Sequence, residues 1–486
     1  MKKLLLIICL LFYFVPNETF AVEQNNQQLD SYIKKQMKER LTPGLSIVIT
    51  KNGETIFDKS YGKGFENGRE LTTDTKMYIA SVSKPITATA IMQLVEAGKI
   101  NLHDPVKKHL PYFQLKNNGD TNAITIEHLL SQTSGIPQYD GLRNYNDDYG
   151  KSIKDYIKER KNLSLTHKVG KVFHYSNTNY TILGAVIEEV SGQSFESYIQ
   201  EHIFRPLGMN NSFASGSGKA TEGLANGYQP FFGFNRPFET RFNAPRLPGG
   251  YIISTANDLA KFVNAYMEHE ETILTTSSII EMYKSRSEMK YGLGWFSEIM
   301  NGQEVVYHHG DQESYRATIA IIPSEKIGIS IVTNANHGLA ISSIKDFLPG
   351  LVTVLQGESP EDTWITPKNI YKVINFVVLA FIATLLYQLT TLKKWVHKRR
   401  QKGRIGGLIT SFIQTLISLA ILVGFPKLTQ TPWETMFIYA LDVASIIFIL
   451  CIAFTILGLI KAIITIRILA GRKSVTSNNE YEVKTN

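Results

Sequence analysis

Three long apolar segments near the carboxyl end constrain this 486-residue chain more than anything else in it. They run approximately over Ile370–Leu392, Leu408–Phe425 and Met436–Ile460. Each reaches the length that crosses a hydrocarbon core as a helix, about 18 residues or more. Backbone amides have no water partner inside a bilayer, so each segment must satisfy its own hydrogen bonds. The charge pattern orients them. Between the first two segments, Lys393–Arg404 carries seven cations in twelve residues, whereas Pro426–Thr435 holds one Lys and one Glu. Lysine and arginine collect on the cytoplasmic side. The first loop is therefore expected inside, the second outside, and the carboxyl terminus, with Lys461, Arg467, Arg472 and Lys473, inside. Asp442 falls within the third apolar segment, about two turns from its outer end, and is expected to be hydrated there.

The net charge of +8 follows from this layout. From Asn369 onward there are 14 Lys and Arg against 4 Asp and Glu, a net of +10, so the remainder carries −2. A basic chain of this kind points to membrane flanks and not to nucleic acid. At the other end, Lys2 and Lys3 precede an apolar run, Leu4–Val15, too short to span but suited to a signal peptide. Thr19-Phe20-Ala21 offers a cleavage point. Both termini thus give the same topology, with the large middle region outside. The two cysteines, Cys9 and Cys451, fall in the signal segment and the third span. The exported region has no disulfide and must be held by its own core.

That region reads as α+β. Gln24–Arg40 has amphipathic spacing and stops at Pro43-Gly44. Leu45–Lys51 and Glu54–Tyr61 flank Asn52-Gly53, a hairpin signal. Leu293–Ile299 and Glu304–His308 flank a second, Asn301-Gly302. Ala317–Ile322 and Ile327–Thr333 read as further strands, and Leu339–Leu355 as a helix. Strands from both ends of the region can share one antiparallel sheet flanked by terminal helices. The middle, Ser81 to about Met267, reads as a helical subdomain, and Glu358–Lys368 as a linker.

Ser81-Val82-Ser83-Lys84 fits Ser-x-x-Lys, a pattern that occurs five times in the chain. Context selects Ser81, because Ile86, Ala90, Ile91, Leu94 and Val95 follow at helical spacing and Gly98 supplies a stop. Residues three apart lie on one helix face, so the Ser81 hydroxyl and the Lys84 amine can meet. A hydroxyl needs a base before it attacks a carbonyl, and a lysine serves only if its pKa falls from about 10.4 towards 7. Tyr175-Ser176-Asn177 is the one Tyr-x-Asn among 23 tyrosines, set before a helix over Tyr180–Ser191. A phenol there could carry a proton. His308-His309-Gly310 is the one His-x-Gly. Adjacent histidines on a strand face opposite ways, and no nearby residue gives ligand spacing, so a metal is not expected. One His can face a cleft while Gly310 lets substrate lie against the strand.

Ser-x-x-Lys, then Tyr-x-Asn 94 residues on, then His-x-Gly 133 further, resembles the serine β-lactamase-like and penicillin-binding-protein family, of class C β-lactamase, DD-peptidase and esterase type. Ile124–Pro137, Phe204–Met209, Ser254–Leu259 and Tyr291–Trp295 are similar to that family as well. The match covers about Gln28 to Gln356. With three membrane helices added, the chain looks like FmtA-like membrane proteins of Gram-positive bacteria, and it shares the layout of prodrug-activating peptidases. The resemblance implies catalytic roles for Ser81, Lys84 and Tyr175, and a cleft lined by Asn177, His308 and Gly310. It also implies an oxyanion hole from the N–H groups of Ser81 and Asp311, with Gln138 or Tyr139 touching substrate. It implies no cofactor. β-Lactamases carry Lys where His308 stands, so an ester or amide substrate is favoured over a β-lactam. The expected plan is a signal peptide (1–21), an extracytoplasmic hydrolase domain (22–357), a linker (358–369), three transmembrane helices (370–465) and a cytoplasmic tail (466–486). The natural substrate expected is a D-alanyl group on a cell-wall polymer or peptide. The alternatives are a penicillin-binding sensor without turnover, or a protein whose membrane bundle is the working part.

Overall fold

The structure, a computed structural model, describes residues 17–141, 148–267, 272–336, 338, 343–401, 404–429 and 431–482. Leu4–Val15 and Cys9 lie outside the described residues. The chain divides into two units, Met1–Lys368 and Asn369–Asn486.

The first unit is built on six antiparallel strands: β1 Gly44–Lys51, β2 Glu54–Gly62, β3 Phe296–Met300, β4 Gln303–Asp311, β5 Arg316–Ile322 and β6 Ile327–Thr333. Their order across the sheet is β2-β1-β6-β5-β4-β3, so the first hairpin closes on the last strand. Asn52-Gly53 and Asn301-Gly302 form the tight turns, with φ of 52° and 81°, and of 46° and 77°. Positive φ at both central residues gives a turn that matches strand twist, and Asn-Gly adopts it at little cost.

β1 and β6 are neighbouring interior strands, covered on both faces. Their residues alternate between two environments, as period-two geometry requires. Leu45, Ile47, Ile49, Ile329 and Ile331 face the terminal helices α1 (Asn17–Arg40) and α5 (Ser343–Leu355), against Leu29, Ile33, Leu348, Leu351 and Val352. Tyr32 ties the two helices together by donating its hydroxyl hydrogen to the Phe347 carbonyl at 2.8 Å. On the opposite face, Ser330 Oγ–H donates to Ala256 O at 2.7 Å, at the start of α4 (Ala256–Ala265). Beyond it lies the helical half, with α2 (Ser83–Glu96) and α3 (Asn177–Ser191).

Several elements differ from the sequence expectation. β3 starts at Phe296 and not at Leu293, because Gly294 turns with φ of 88° and Gly292 N–H closes on Trp295 O at 2.8 Å. β4 continues past His308 to Asp311, because its last residues pair with Arg316 and Ala317 of β5. α3 begins at Asn177 and not Tyr180, which puts Asn177 in its first turn. A small hairpin, Tyr228–Phe231 with Phe234–Pro237, interrupts the helical half. Its turn is Phe232-Gly233, which carries a weaker signal than Asn-Gly.

In the second unit, three helices are long and apolar enough to cross a membrane: α6 (Pro367–Thr390), α7 (Arg404–Leu428) and α8 (Leu441–Glu482). Met436 lies in a separate short helix, Trp433–Tyr439, and the chain breaks at Ala440, where φ is −150°. Asp442 is therefore in the first turn of α8. It is buried, not hydrated: it is 1% exposed, accepts from Val443 N–H at 2.8 Å and bonds the Tyr371 hydroxyl.

Ile329 is fully buried in β6. Ile329→Ala is expected to cost about 2–5 kcal/mol, through lost transfer energy and the cavity it leaves. Urea titration should show a lower midpoint with an unchanged m-value. Phe234→Ala, at a side chain 79% exposed, should shift stability by less than about 0.5 kcal/mol.

Candidate active site

The entrance to α2 is shaped by a strained residue. Ala80 has φ of 50° in the short 3-10 turn Ala80–Val82, a conformation costing an alanine roughly 1–2 kcal/mol. Ser83 Oγ–H donates to Ala80 O at 2.7 Å and holds the turn. This presents Ser81, half-exposed, at the start of α2.

Lys84 lies one turn on and is fully buried. Its Nζ sits 2.9 Å from Ser81 Oγ, 2.8 Å from Asn177 Oδ1 and 2.6 Å from the Gly249 carbonyl. Burial alone pushes its pKa well below the ordinary lysine value. A neutral amine has two N–H groups and one lone pair. The two N–H groups match the two carbonyl oxygens, which leaves the lone pair for the Ser81 hydroxyl. The Tyr175 ring centroid is 4.8 Å from Lys84 Nζ, and its phenol bonds the Ser81 side chain. Desolvation raises the phenol's pKa, so it stays protonated at neutral pH.

Gln132 sets the Tyr175-Ser176-Asn177 turn. Its Oε1 accepts from Ser176 N–H at 2.9 Å and from Asn179 Nδ2 at 2.6 Å, while its carbonyl accepts from His174 N–H at 2.8 Å. β4 closes the other wall. A Cβ added at Gly310 would lie 2.2 Å from Ile79 O and 3.0 Å from Ser81 N, so glycine alone lets the strand pass this close. Asp311, at the end of β4, holds Arg316 Nε at 2.6 Å and keeps its side chain 35% exposed.

A hydroxyl, an amine and a phenol thus converge beside a strand end. The beta-lactamase family profile matches residues 29–346. The chain belongs to the beta-lactamase family. It is 29% identical over 378 residues to protein flp of Staphylococcus aureus (strain MW2), covering 74% of this chain and 73% of that protein. It is 28% identical over 346 residues to unguisins hydrolase ungD' of Aspergillus campestris (strain IBT 28561), covering 65% and 63%. The octameric penicillin-binding protein homologue from Pyrococcus abyssi superposes with a TM-score of 0.62 at 31% identity, over 69% of this chain and 78% of that one. EstCE1, a hydrolase with promiscuous acyltransferase activity, shares the fold at TM-score 0.59 and 20% identity, over 68% and 100%. At the family level this beta-lactamase-family protein is a serine hydrolase, and its three apolar helices support membrane association.

His308 is 1% exposed, further inside than the cleft-lining position expected of it. Its Nδ1 is 2.6 Å from the His309 carbonyl, so Nδ1 carries the hydrogen and Nε2 accepts from Tyr291 O–H at 3.2 Å. Burial and the nearby Lys84 amine hold its pKa well below the usual value, so the ring is neutral. The ring stands 6.4 Å from Tyr175, centroid to centroid, and supports it from behind. Tyr291 also bonds Tyr180 at 3.4 Å, and Tyr180 donates to Leu130 O at 3.0 Å. Gln138 is exposed in the 3-10 turn Gln138–Gly141. The side chain of Tyr139 lies outside the described residues.

Sequence reading of this beta-lactamase-family protein missed three contributors. Gly249 acts through its backbone carbonyl, which no side-chain letter marks. Gln132 lay unremarked inside a string already quoted for its likeness. Glu313 had no signal at all. It is 1% exposed two residues beyond Asp311, accepts from Tyr251 O–H at 3.1 Å and contacts Thr240 Oγ1 at 3.4 Å. Burial pushes its pKa up to about 8.

Two outcomes follow. Gly310→Ala should lower acylation at least tenfold, because the new methyl must displace the Ile79–Ser81 turn, while far-UV circular dichroism stays unchanged. Glu313 binds its proton more tightly folded than unfolded, so the folded state holds more protons between pH 4.5 and about 8. Stability from this group is complete below pH 4.5 and falls as pH rises towards 8. Glu313→Gln should remove that slope, so its melting temperature gains on wild type by several degrees between pH 5 and pH 8. Parallel melting curves would show that Glu313 is not held neutral.

Proposed function

We propose that this chain is a membrane-anchored, extracytoplasmic serine hydrolase that transfers an acyl group from an ester or amide first to Ser81 and then to water. The observation that carries the reading is the buried Lys84 amine, 2.9 Å from Ser81 Oγ, with its N–H groups already matched to Asn177 and Gly249. Its lone pair takes the Ser81 proton as Oγ attacks the carbonyl carbon. The N–H groups of Ser81 and Asp311 stabilise the oxyanion. The Tyr175 phenol hands its proton to the leaving oxygen or nitrogen as the acyl bond breaks and regains one from the Lys84 ammonium, which resets both groups. In the second half Lys84 and Tyr175 take a proton from the water that attacks acyl-Ser81, and one returns to Ser81 Oγ as the ester bond breaks. The amide nitrogen of Asn177, opposite the oxygen that Lys84 holds, is the donor for a substrate carbonyl, and Gly310 leaves room for the substrate backbone.

The substrate class is a D-alanyl ester or amide of a cell-wall polymer or peptide. Support comes from charge, since the cationic loop Lys393–Arg404 lies one span away from the hydrolase unit and orients that unit outward. The neutral, doubly bonded His308 offers no permanent cation to a β-lactam carboxylate, which favours ester and amide turnover over penicillin destruction.

A fluorophosphonate probe should label wild type and leave Ser81→Ala unlabelled. D-alanyl esters should then protect wild type from the probe and be turned over. Equal labelling of both proteins would overturn the assignment of Ser81. An adduct on Ser81 that intact mass shows never clearing would replace turnover with binding.

A further inference from the structure

The second unit contains an unmatched charge. Lys461 lies on α8, twenty residues from Leu441, or about 30 Å along the helix. It is 7% exposed. Its Nζ bonds Gln388 Oε1 of α6 at 2.5 Å and approaches Gln414 Oε1 of α7 at 3.5 Å. Gln414 spends its Nε2 on Phe454 O at 2.9 Å, which fixes its oxygen towards the lysine. Two amide oxygens solvate an ammonium but do not neutralise it. Among the described residues no ion pair to Lys461 is formed. About 30 Å along α8, Lys461 stands at the inner boundary of the hydrocarbon, where a buried cation without a counter-charge attracts an anionic headgroup.

The same end of the bundle gathers more positive charge. The helix Leu392–Gln401 holds Lys393, Lys394, Lys398, Arg399 and Arg400. Arg399 lies 5.5 Å and Lys461 Nζ 5.7 Å from the Trp395 ring. Arg399 also runs along the start of α7, where its Cδ would be 3.1 Å from a Cβ at Gly407.

From this basic end an apolar groove of about 750 Å³ runs between the three helices, bounded by Gln388 and Gln414 at one end and by Val373, Phe381 and Phe425 further along. Val373 to Gln388 is fifteen residues, about 22 Å of helix. That exceeds one leaflet's share of the hydrocarbon, about 15 Å.

We propose that the three spans bind one anionic glycerophospholipid, with its phosphate against Lys461 at the basic end and an acyl chain in the groove. The occupant follows from complementarity: the site offers a cation with amides at one end and a long apolar channel at the other. A free phosphate would leave the channel empty, and a zwitterionic lipid would bring a second cation to the basic end.

The test uses the full chain, purified in mild detergent and incubated with equal phosphatidylglycerol and phosphatidylcholine of identical acyl chains. Native mass spectrometry should show wild type retaining one phosphatidylglycerol in at least fivefold preference. Lys461→Gln should abolish that preference, and Lys398→Gln, on the exposed basic helix, should keep it. Helical circular dichroism and a single gel-filtration peak in detergent report that each variant is folded. Should Lys461→Gln fail to fold, Ile417→Trp fills the groove without touching the cation and should lower retention of both lipids. Equal retention of the two lipids by wild type, unchanged preference in Lys461→Gln, undiminished retention in Ile417→Trp, or a lipid-free dimer with the groove closed by a second copy would each overturn the proposal.

Discussion

The buried amine of Lys84, whose charge burial disfavours, is the constraint on which the catalytic half depends. A buried ammonium without a carboxylate would be expensive, whereas a neutral amine with both N–H groups matched is tolerable. The partners come from three distant stretches: Ser81 from the same turn, Asn177 from the head of α3 and Gly249 from a short helix. The helical half keeps these three in register. Gln132 does so for Asn177, since its side chain and its carbonyl both brace the residues just before α3. The short helix Leu247–Gly250 does so for its own carbonyl, which it sets 2.6 Å from Lys84 Nζ.

The sheet contributes a wall and the helical half contributes the chemistry. β4 approaches Ser81 closely enough that Gly310 tolerates no side chain, and Ala80 adopts a left-handed backbone on the opposing side. Two local concessions, one strained residue and one bare one, bring the nucleophile and the strand end together. His308 belongs to the same wall, buried 6.4 Å from the Tyr175 ring and hydrogen-bonded to Tyr291.

The parts of this arrangement that were legible in the sequence are those written in side-chain letters at unusual spacing. Tyr175 and Asn177 stood out because the pattern occurs once, and Ser81 because a helical apolar stripe follows it. Both Asn-Gly turns were readable because their backbone geometry selects that dipeptide. Contributions made by backbone were not readable: the Gly249 carbonyl has no letter of its own, and the strain at Ala80 is invisible in an alanine. Glu313 was missed for a different reason, since an isolated carboxylate in a sequence defaults to solvent and only tertiary packing buries it. The third span was placed five residues early because hydropathy runs through Met436, whereas the backbone breaks at Ala440.

The ordering of strands has a consequence for biogenesis. The Ser330 hydroxyl reaches the Val48 carbonyl across 282 residues, and β1 and β6 are neighbouring interior strands of the sheet. At ordinary elongation rates the ribosome takes on the order of tens of seconds to make that stretch. Throughout this interval the first hairpin carries Leu45, Ile47 and Ile49 with no partner on one edge and only α1 of the two covering helices beneath. Premature release or a stalled message would leave a sticky, half-made ribbon. Its completion waits until Thr333 is free, only 34 residues before the first membrane helix begins. Closure of the sheet and emergence of the first apolar helix are thus nearly simultaneous, so a defect in either step would reach the other.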